Sequence, residues 1–324
     1  MAGSPEVTSG LELSGEATGA RVRTIDVVGH RNWFFALSLL IILPGIFFMV
    51  TRGFLLGIDF EGGTEFFYQF QNPTSVAQIQ SALSADNVSG TVQAASTGTY
   101  IIRTGPLGPA QQQALENALV SRVGPIDQSS KQINEVGPSI ASETVTGALY
   151  AIVSAAFLIL LYLAFRFRKV QGGWRSGFQF GGSALLALLH DVFILAGIFS
   201  ILGTGLNLRV GQIDSLFLTA VLTVVGFSVH DTIVVFDRIR ENLILSNRLT
   251  FEQVVNLSIM QTAARSIITS FTVVLVLLAL ILFGGETLRG FVLALLIGII
   301  SGTYSSIFNA SQLLVVWRRL QPPR

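Results

Sequence analysis

Two His-Asp pairs stand inside long apolar stretches of the sequence: His190 with Asp191, and His230 with Asp231. An ionised Asp at the centre of a membrane helix costs about 2.5 to 3.5 kcal/mol, so such residues usually face a polar interior and mark ion pathways. A neutral amide would hold the helices together at lower cost. We therefore interpret Asp231 as a group that gains and loses a proton, with His230 beside it. His190 and Asp191 are expected either to support this relay or to form a hydrogen-bonded structural pair.

Arg265 is the positive group that could balance Asp231. It begins the fifth apolar segment, and Thr269 and Thr272 follow on the same helical face at i+4 and i+7. The residues that connect the fourth and fifth segments are predicted to turn back along the membrane surface. Such a hairpin can bring Arg265 to the depth of Asp231, where the opposite charges would compensate each other. Thr269 is a further candidate for a supporting polar residue.

The fourth and sixth apolar segments each have a polar or small-residue side. In the fourth, Thr219, Thr223, Gly226 and His230 fall within an arc of about 60°, and Asp231 lies about 100° further round the helix. The sixth contains a G-x-x-x-G pattern that predicts close helix packing. This row of small and polar residues consists of Gly298, Gly302, Ser305 and Asn309. We expect the last four helices to pack tightly around a polar centre.

The segment "GFSV" (226–229) matches the G-x-S-x pattern of intramembrane serine proteases. A nucleophilic Ser needs a base within hydrogen-bond reach. His230 lies two residues after Ser228 and points about 200° away around a helix. His190 is the other candidate base within an apolar segment. We therefore expect that the protein is not an enzyme.

The composition indicates a membrane protein. Of the residues, 51% are hydrophobic and 12% are charged, whereas about 25% are charged in an average soluble domain. Scanning for apolar stretches of about 20 residues predicts six transmembrane helices. They lie at about residues 33–50, 145–165, 182–202, 213–236, 266–283 and 291–316.

Basic residues before the first helix, after the second and fourth, and at the chain end all fall on one side of the membrane. Because short loops rich in Lys and Arg stay in the cytoplasm, both termini are predicted to be cytoplasmic. The predicted divisions are a largely disordered cytoplasmic tail (1–32), the first helix (33–51), an extracytoplasmic domain (52–144), a membrane domain of helices two to six (145–317) and a cytoplasmic tail (318–324). The lack of Cys excludes disulfides and zinc sites that need sulfur. A net charge of +1 predicts no nucleic-acid partner, and no cofactor or metal is expected.

The predicted extracytoplasmic domain has alternating strand and helix signals. Strands are predicted at 63–70, 89–96, 99–104 and 131–136, and helices from Pro73 to about Ser84 and from Pro109 to Val123. The order βαββαβ predicts a ferredoxin-like α+β domain. That fold hosts many functions, and we interpret the domain as a binding or docking module.

Four segments together resemble the SecF branch of the SecD/SecF protein-export family, which is similar in its membrane fold to RND transporters. The segment "VVGFSVHDTIVVFDRIREN" resembles the fourth-helix signature and "ALLHDVFILAGIF" the third helix. "GIDFEGGTEF" resembles the opening of the external domain, and "VGPSIASE" the return to helix two. The resemblance covers about residues 33–317. It implies a multi-pass protein of the bacterial inner membrane with six helices of the RND half-transporter type.

The resemblance also implies a function and a site. In this family SecF and SecD use the proton motive force to help preproteins pass through the SecYEG channel, and YajC and YidC are further partners. An Asp of helix four, an Arg of helix five and an Asp of SecD form the proton-responsive centre, and Asp231 and Arg265 match the first two. Family members commonly have Asn where this chain has His230. That residue is therefore either an additional titratable group or a replacement for an amide hydrogen bond.

Two other functions stay open from the sequence. One is an RND-type half-transporter for lipid or small molecules, although the segment "GTGLNLRVGQ" is too short for a second porter domain. The other is a passive scaffold of the translocation channel. A titrating Asp231 separates the proton-driven subunit from the scaffold.

Overall fold

The computed structural model of the protein describes residues 25–95, 98–246 and 248–321. Most of the predicted N-terminal tail, the turn residue Thr97 and the last three residues lie outside this part of the chain. Within it, a helical membrane domain carries a small α/β domain, inserted between the first two long helices.

Six helices of the described chain are long and apolar enough to cross a membrane, as predicted. They are span one (α1, Arg31–Arg52), span two (α5, Pro138–Arg166), span three (Gly173–Gly205), span four (α7, Ser215–Leu245), span five (α8, Phe251–Phe283) and span six (Arg289–Leu320). Span three consists of α6 (Gly173–Ser200) and a π-helical turn (Ile201–Gly205). Span six consists of α9 (Arg289–Ser305), a π-helical turn (Ser306–Ala310) and α10 (Ser311–Leu320).

Span five begins well before its apolar stretch. Thr250 starts the helix with a capping box: its hydroxyl accepts from Gln253 N at 3.3 Å, and the Gln253 side chain accepts from Thr250 N at 2.9 Å. The prediction that this segment returns along the membrane surface is therefore wrong. It forms about the first four turns of one continuous helix, because a strong cap precedes it and neither Gly nor Pro interrupts it before Arg265.

Spans four and six pack closely along the predicted row of small residues. A Cβ atom on Gly298 would lie 2.2 Å from Cγ2 of Val224, and one on Gly302 would lie 3.0 Å from Cβ of Ser228. Ser305 and Asn309, which complete the row, are buried. The close-packing prediction is confirmed, and the approach places Ser228 of span four beside the hydroxyl groups of span six.

Two apolar clusters fill the membrane domain. At one end, the ring of Phe180 in span three lies 4.7 Å from that of Phe167, after span two, and 5.0 Å from that of Phe236 in span four. Towards the other end, the rings of Phe199 and Phe217 are 4.6 Å apart. Along spans three and four the buried acidic residues lie between these clusters.

The α/β domain has one four-stranded antiparallel sheet with strand order β2-β3-β1-β4. After the short helix α2 (Ile58–Glu61), its elements are β1 (Gly63–Gln69), α3 (Val76–Ala85), β2 (Gly90–Ala94), β3 (Thr99–Thr104), α4 (Pro109–Arg122) and β4 (Gln132–Val136). Phe66 in the central strand pairs with Ile102 on one side and Ile133 on the other, and it is fully buried. Gly63 has φ 136°, and a Cβ atom there would lie 2.4 Å from the carbonyl oxygen of Thr104. The chain can therefore enter the sheet only through a glycine at this point.

The α/β domain is held to the loop between spans three and four. Gly57 N donates to the carbonyl oxygen of Ile213 at 2.7 Å, and Ile213 N donates to that of Leu55 at 2.8 Å. Ser215 N, at the start of span four, donates to Asp59 Oδ2 at 2.9 Å. These bonds connect the domain directly to the helix that carries Asp231.

Candidate functional site

Asp231 faces into the protein, towards span five. Asp231 is 3% exposed, and the Ser270 hydroxyl lies 3.5 Å from Asp231 Oδ2. The hydroxyl of Thr303 in span six lies 2.5 Å from Ser270 Oγ and 2.8 Å from the carbonyl oxygen of Ile299. Because a hydroxyl both donates and accepts, this Asp231 site (Asp231, Ser270 and Thr303) can serve an ionised or a protonated carboxyl group.

The expected ion pair between Asp231 and Arg265 does not occur in the described chain. Arg265 is exposed, and so are Thr269 and Thr272 on the same face. The buried face of span five, which contains Ser270, meets Asp231 instead. Five residues separate Arg265 from Ser270, which is about 140° around the helix, so the two cannot face the same neighbour.

The polar arc of span four is also on the surface of the chain. His230 is exposed beside the buried Asp231, and so is the rest of the arc. The outward face of span five is exposed as well, and we call the exposed residues of these two neighbouring helices the polar intramembrane surface. Its members are Thr219, Thr223, Gly226, His230, Arg265, Thr269 and Thr272. In the described chain, neither His230 nor Thr269 is hydrogen-bonded to Asp231.

Asp191 is the more completely bonded of the two acids. It is fully buried, and its carboxylate accepts hydrogen bonds from three hydroxyl groups on two other helices. The donors are Ser228 at 2.8 Å, Ser301 at 2.8 Å and Ser305 at 2.6 Å. His190 Nδ1 lies 3.0 Å from Asp191 Oδ1 as a fourth donor. Four donors satisfy both carboxylate oxygens.

His190 extends this network to span one. Asn309 Nδ2 lies 3.0 Å from His190 Nε2 and 2.9 Å from the hydroxyl of Ser38. The Tyr304 ring stacks on the imidazole with centroids 6.2 Å apart. We call Asp191, His190, Ser228, Ser301, Ser305 and Asn309 the Asp191 cluster. It joins spans one, three, four and six, so His190 and Asp191 do form a hydrogen-bonded pair within a larger network.

The geometry at Ser228 bears on the protease pattern. Its hydroxyl donates to the Asp191 carboxylate, and the imidazole of His190 lies on the other carboxylate oxygen. A nucleophilic Ser needs the base directly at its own hydroxyl. Here the carboxylate of Asp191 lies between Ser228 and His190, so Ser228 serves as a hydrogen-bond donor to Asp191.

The sequence patterns do not indicate every residue of the two sites. They do not single out Ser270, Ser301 or Thr303, and they predict only helix packing for Ser305 and Asn309. Hydroxyl groups are common in membrane helices because they can bond to their own backbone. The signal that could have found Ser301 and Ser305 is their spacing of four residues, which puts both on one helical face.

Comparison with known proteins supports a single family. The family model described as "Protein export membrane protein SecD/SecF, C-terminal" matches residues 116–320, and the "SecD/SecF GG Motif" model matches residues 47–74. The protein translocase subunit SecF of Thermobaculum terrenum is 47% identical over 306 residues, which cover 90% of this chain and 94% of that protein.

Two solved structures extend the likeness to the fold. The crystal structure of SecDF from Thermus thermophilus, a translocon-associated membrane protein, matches with a TM-score of 0.79 and 33% identity over 91% of this chain. SecDF in a super-membrane-facing form matches with a TM-score of 0.63 and 32% identity over 92% of this chain. The chain spans 39% of the length of each of these two SecDF chains. The membrane helices and the glycine at the start of β1 fit these matches. The family model and the relatives show that the chain belongs to the SecD/SecF family of protein-export membrane proteins.

Proposed function

We propose that this chain acts as the SecF subunit of a SecD–SecF complex, which uses the proton motive force to promote preprotein export through SecYEG. The observation that carries the proposal is the chain of hydroxyl groups at Asp231. In the ionised state Thr303 donates to Ser270, and Ser270 donates to Asp231. In the protonated state Asp231 donates to Ser270, Ser270 donates to Thr303, and Thr303 donates to Ile299 O. Every hydroxyl hydrogen has an acceptor in both states.

Reversal of this chain can change how the helices pack. Its members come from spans four, five and six, so a proton on Asp231 alters bonds between three helices at once. Movement of one charge through 100 mV supplies about 2.3 kcal/mol, and two packings of a bistable protein differ by only a few kcal/mol. The bonds from Ile213, in the loop before span four, to Leu55 and Gly57, and the bond from Ser215 to Asp59, offer a path to the α/β domain.

SecD is the proposed partner at the polar intramembrane surface. An exposed guanidinium in a membrane helix is costly unless it meets an acid, water or a headgroup. Because Arg265 and His230 both lie on this surface, a helix of SecD that carries a carboxyl group would compensate them. The proton-responsive centre would then be completed only in the heterodimer.

We further propose the orientation and the role of the α/β domain. Both termini would lie in the bacterial cytoplasm, and the α/β domain, as a ferredoxin-like module, would contact the emerging polypeptide outside. The order of its elements and the sheet order β2-β3-β1-β4 support the assignment of this domain as ferredoxin-like. Since the Ser228 hydroxyl is bound to a carboxylate, we infer that the chain is not an intramembrane protease.

The test is preprotein export into membrane vesicles that contain SecYEG, SecD and this chain, measured with and without a proton gradient. The Asp231→Asn variant should insert normally and lose the stimulation by the gradient, because an amide cannot exchange the proton. Glu241→Gln is the matched control, an acid-to-amide change on the same helix in a more exposed ion pair with Arg238. Full stimulation in Asp231→Asn would instead support a passive scaffold.

A further inference from the structure

The Asp191 cluster contains a buried polar atom that the described chain leaves without a partner. Asn309 is 3% exposed, and its Oδ1 accepts no hydrogen bond from the described residues. Its Nδ2 is bonded on both sides, to His190 Nε2 at 3.0 Å and to Ser38 Oγ at 2.9 Å. A buried carbonyl oxygen without a donor is destabilising, so the orientation of this amide depends on which groups around it can donate.

The hydrogen bonds define the protonation state in this arrangement. Asp191 Oδ1 accepts at 3.0 Å, so His190 Nδ1 must carry a hydrogen. The amide of Asn309 donates to Nε2, so Nε2 carries none. The arrangement therefore holds a neutral imidazole, with the hydrogen on Nδ1.

A half-turn of the Asn309 amide would suit the charged imidazole. Amide oxygen and nitrogen have nearly the same size, so the half-turn exchanges their places with little change in packing. Oδ1 would then accept from a protonated His190 Nε2, and the Ser38 hydroxyl could donate to it as well. The unpaired atom becomes the nitrogen, so each orientation of Asn309 leaves one amide group without a partner.

One acidic group and several neutral groups face the imidazole. Asp191 is the one acidic group of the described chain in contact with the imidazole, and it already has three serine donors. Tyr304 stacks on the ring from span six and bonds to Phe34 O at 2.9 Å. Span one contributes the neutral Ser38. The His190 side chain is 10% exposed, so the described residues do not enclose it completely.

We propose that His190, which is hydrogen-bonded to Asp191, is a second proton-binding site of this protein. The orientation of the Asn309 amide would depend on whether His190 carries the second proton. The two sites are physically connected. Ser228 binds Asp191 one turn before Asp231 on span four, and Thr303 of the Asp231 site lies between Ser301 and Ser305 on span six. Asn309 stands in the π-helical turn of span six, a feature that often marks functional sites. A role in transport rests on the proposed function, whereas proton binding itself does not.

The test observes the imidazole directly. The full chain has three histidines, so a parent protein with His30→Gln and His230→Gln leaves His190 as the one histidine. It is purified without a histidine tag, labelled with [15N]histidine and placed in lipid nanodiscs. Ring 15N shifts between pH 9 and pH 5.5 distinguish the two neutral tautomers from the imidazolium. We expect the Nδ1–H tautomer at high pH and reversible conversion to imidazolium at low pH.

Asn309→Leu removes the acceptor for the second proton. It should lower the imidazolium-to-neutral ratio at pH 5.5 about tenfold, because a hydrogen bond to a charged group is lost. Gln312→Leu is the matched control, because Gln312 is a buried amide three residues later that bonds to Val27 O and not to His190. In this variant the imidazolium-to-neutral ratio of His190 should stay unchanged. A neutral His190 in the parent at pH 5.5 overturns the proposal, and so does an equal effect of the two Leu variants. Loss of gradient-stimulated export in Asp231→Asn with a non-titrating His190 would overturn this inference alone.

Discussion

The hydroxyl of Ser228 donates a hydrogen bond of 2.8 Å to Asp191, and this bond fastens span four to span three one helical turn before Asp231. Span four thus carries both Ser228, a donor to the fully bonded Asp191, and Asp231, the acid that has one long hydrogen bond. Asp191 joins spans three, four and six through its hydrogen bonds. Asp231, by contrast, accepts one long hydrogen bond in the described chain, from Ser270 at 3.5 Å.

Loss of Asp191 should destabilise the protein strongly. Asp191→Ala leaves Ser228, Ser301 and Ser305 without their shared acceptor, and buried unpaired donors cost about 1 to 3 kcal/mol each. We expect a loss of about 3 kcal/mol or more, measured as the free energy of unfolding in lipid or detergent. Asp237→Ala, which removes the partly exposed pair with Arg166, should cost about 0 to 1 kcal/mol. Equal losses would show that the Asp191 cluster is not structural.

The crossing of spans four and six should not tolerate a methyl group. Gly298→Ala places its Cβ 2.2 Å from Val224 Cγ2, and such overpacking costs about 1 to 3 kcal/mol. Val224→Ala removes the clashing methyls, so the double variant should regain most of the stability lost by Gly298→Ala. A double-mutant cycle of thermal unfolding measures this coupling.

The matched control for this crossing is Gly147→Ala in span two. A Cβ atom there meets nothing within 4 Å, so the change should stabilise the helix by about 0.5 to 1 kcal/mol. If Gly298→Ala were equally harmless, the close approach of the two spans would be refuted.

The start of span four should respond to pH. Asp214 caps the helix by accepting from Phe217 N at 2.8 Å, and burial raises the pKa of its carboxyl group above the ordinary value of 3.8. Because the folded state then binds the proton more tightly than the unfolded state, the ionised carboxylate destabilises the fold increasingly as the pH rises from about 4. Asp214→Asn keeps a good cap and removes this effect.

The stability of Asp214→Asn relative to the unchanged protein should therefore increase between pH 4 and pH 7. Thermal unfolding of both proteins across this range measures the difference. Asp127→Asn serves as the opposite case, since hydrogen bonds from Ser129 lower the pKa of that carboxyl group. There the relative stability should fall as the pH rises through the acidic range up to about 4, because the change lies between the lowered pKa and the ordinary value of 3.8. A constant difference at Asp214 would contradict the effect of burial.

The number of membrane helices could be predicted because each depends on the summed hydropathy of about 20 neighbouring residues. Their ends could not, since a cap such as Thr250 extends a helix through residues of ordinary polarity. The strands of the α/β domain followed from local alternation and turn residues, and the βαββαβ order of the described elements agrees with the one predicted.

The candidate site was predictable by residue type and only partly by arrangement. Asp231 and Asp191 stood out because carboxyl groups are costly in apolar helices. The pairing of Asp231 with Arg265 was a plausible match of charges, yet the helix rotation puts Ser270 on the inner face and Arg265 on the surface.

The sequence alone determined that this is a membrane protein with six apolar helices and two His-Asp pairs inside apolar segments, because the cost of insertion and the local periodicity are properties of neighbouring residues. Only the tertiary structure decided which acid would be fully bonded. The donors to Asp191 lie at positions 228, 301 and 305, on helices whose rotation and depth depend on packing. Hydrogen bonds act over about 3 Å, so their partners are defined only when distant segments come together.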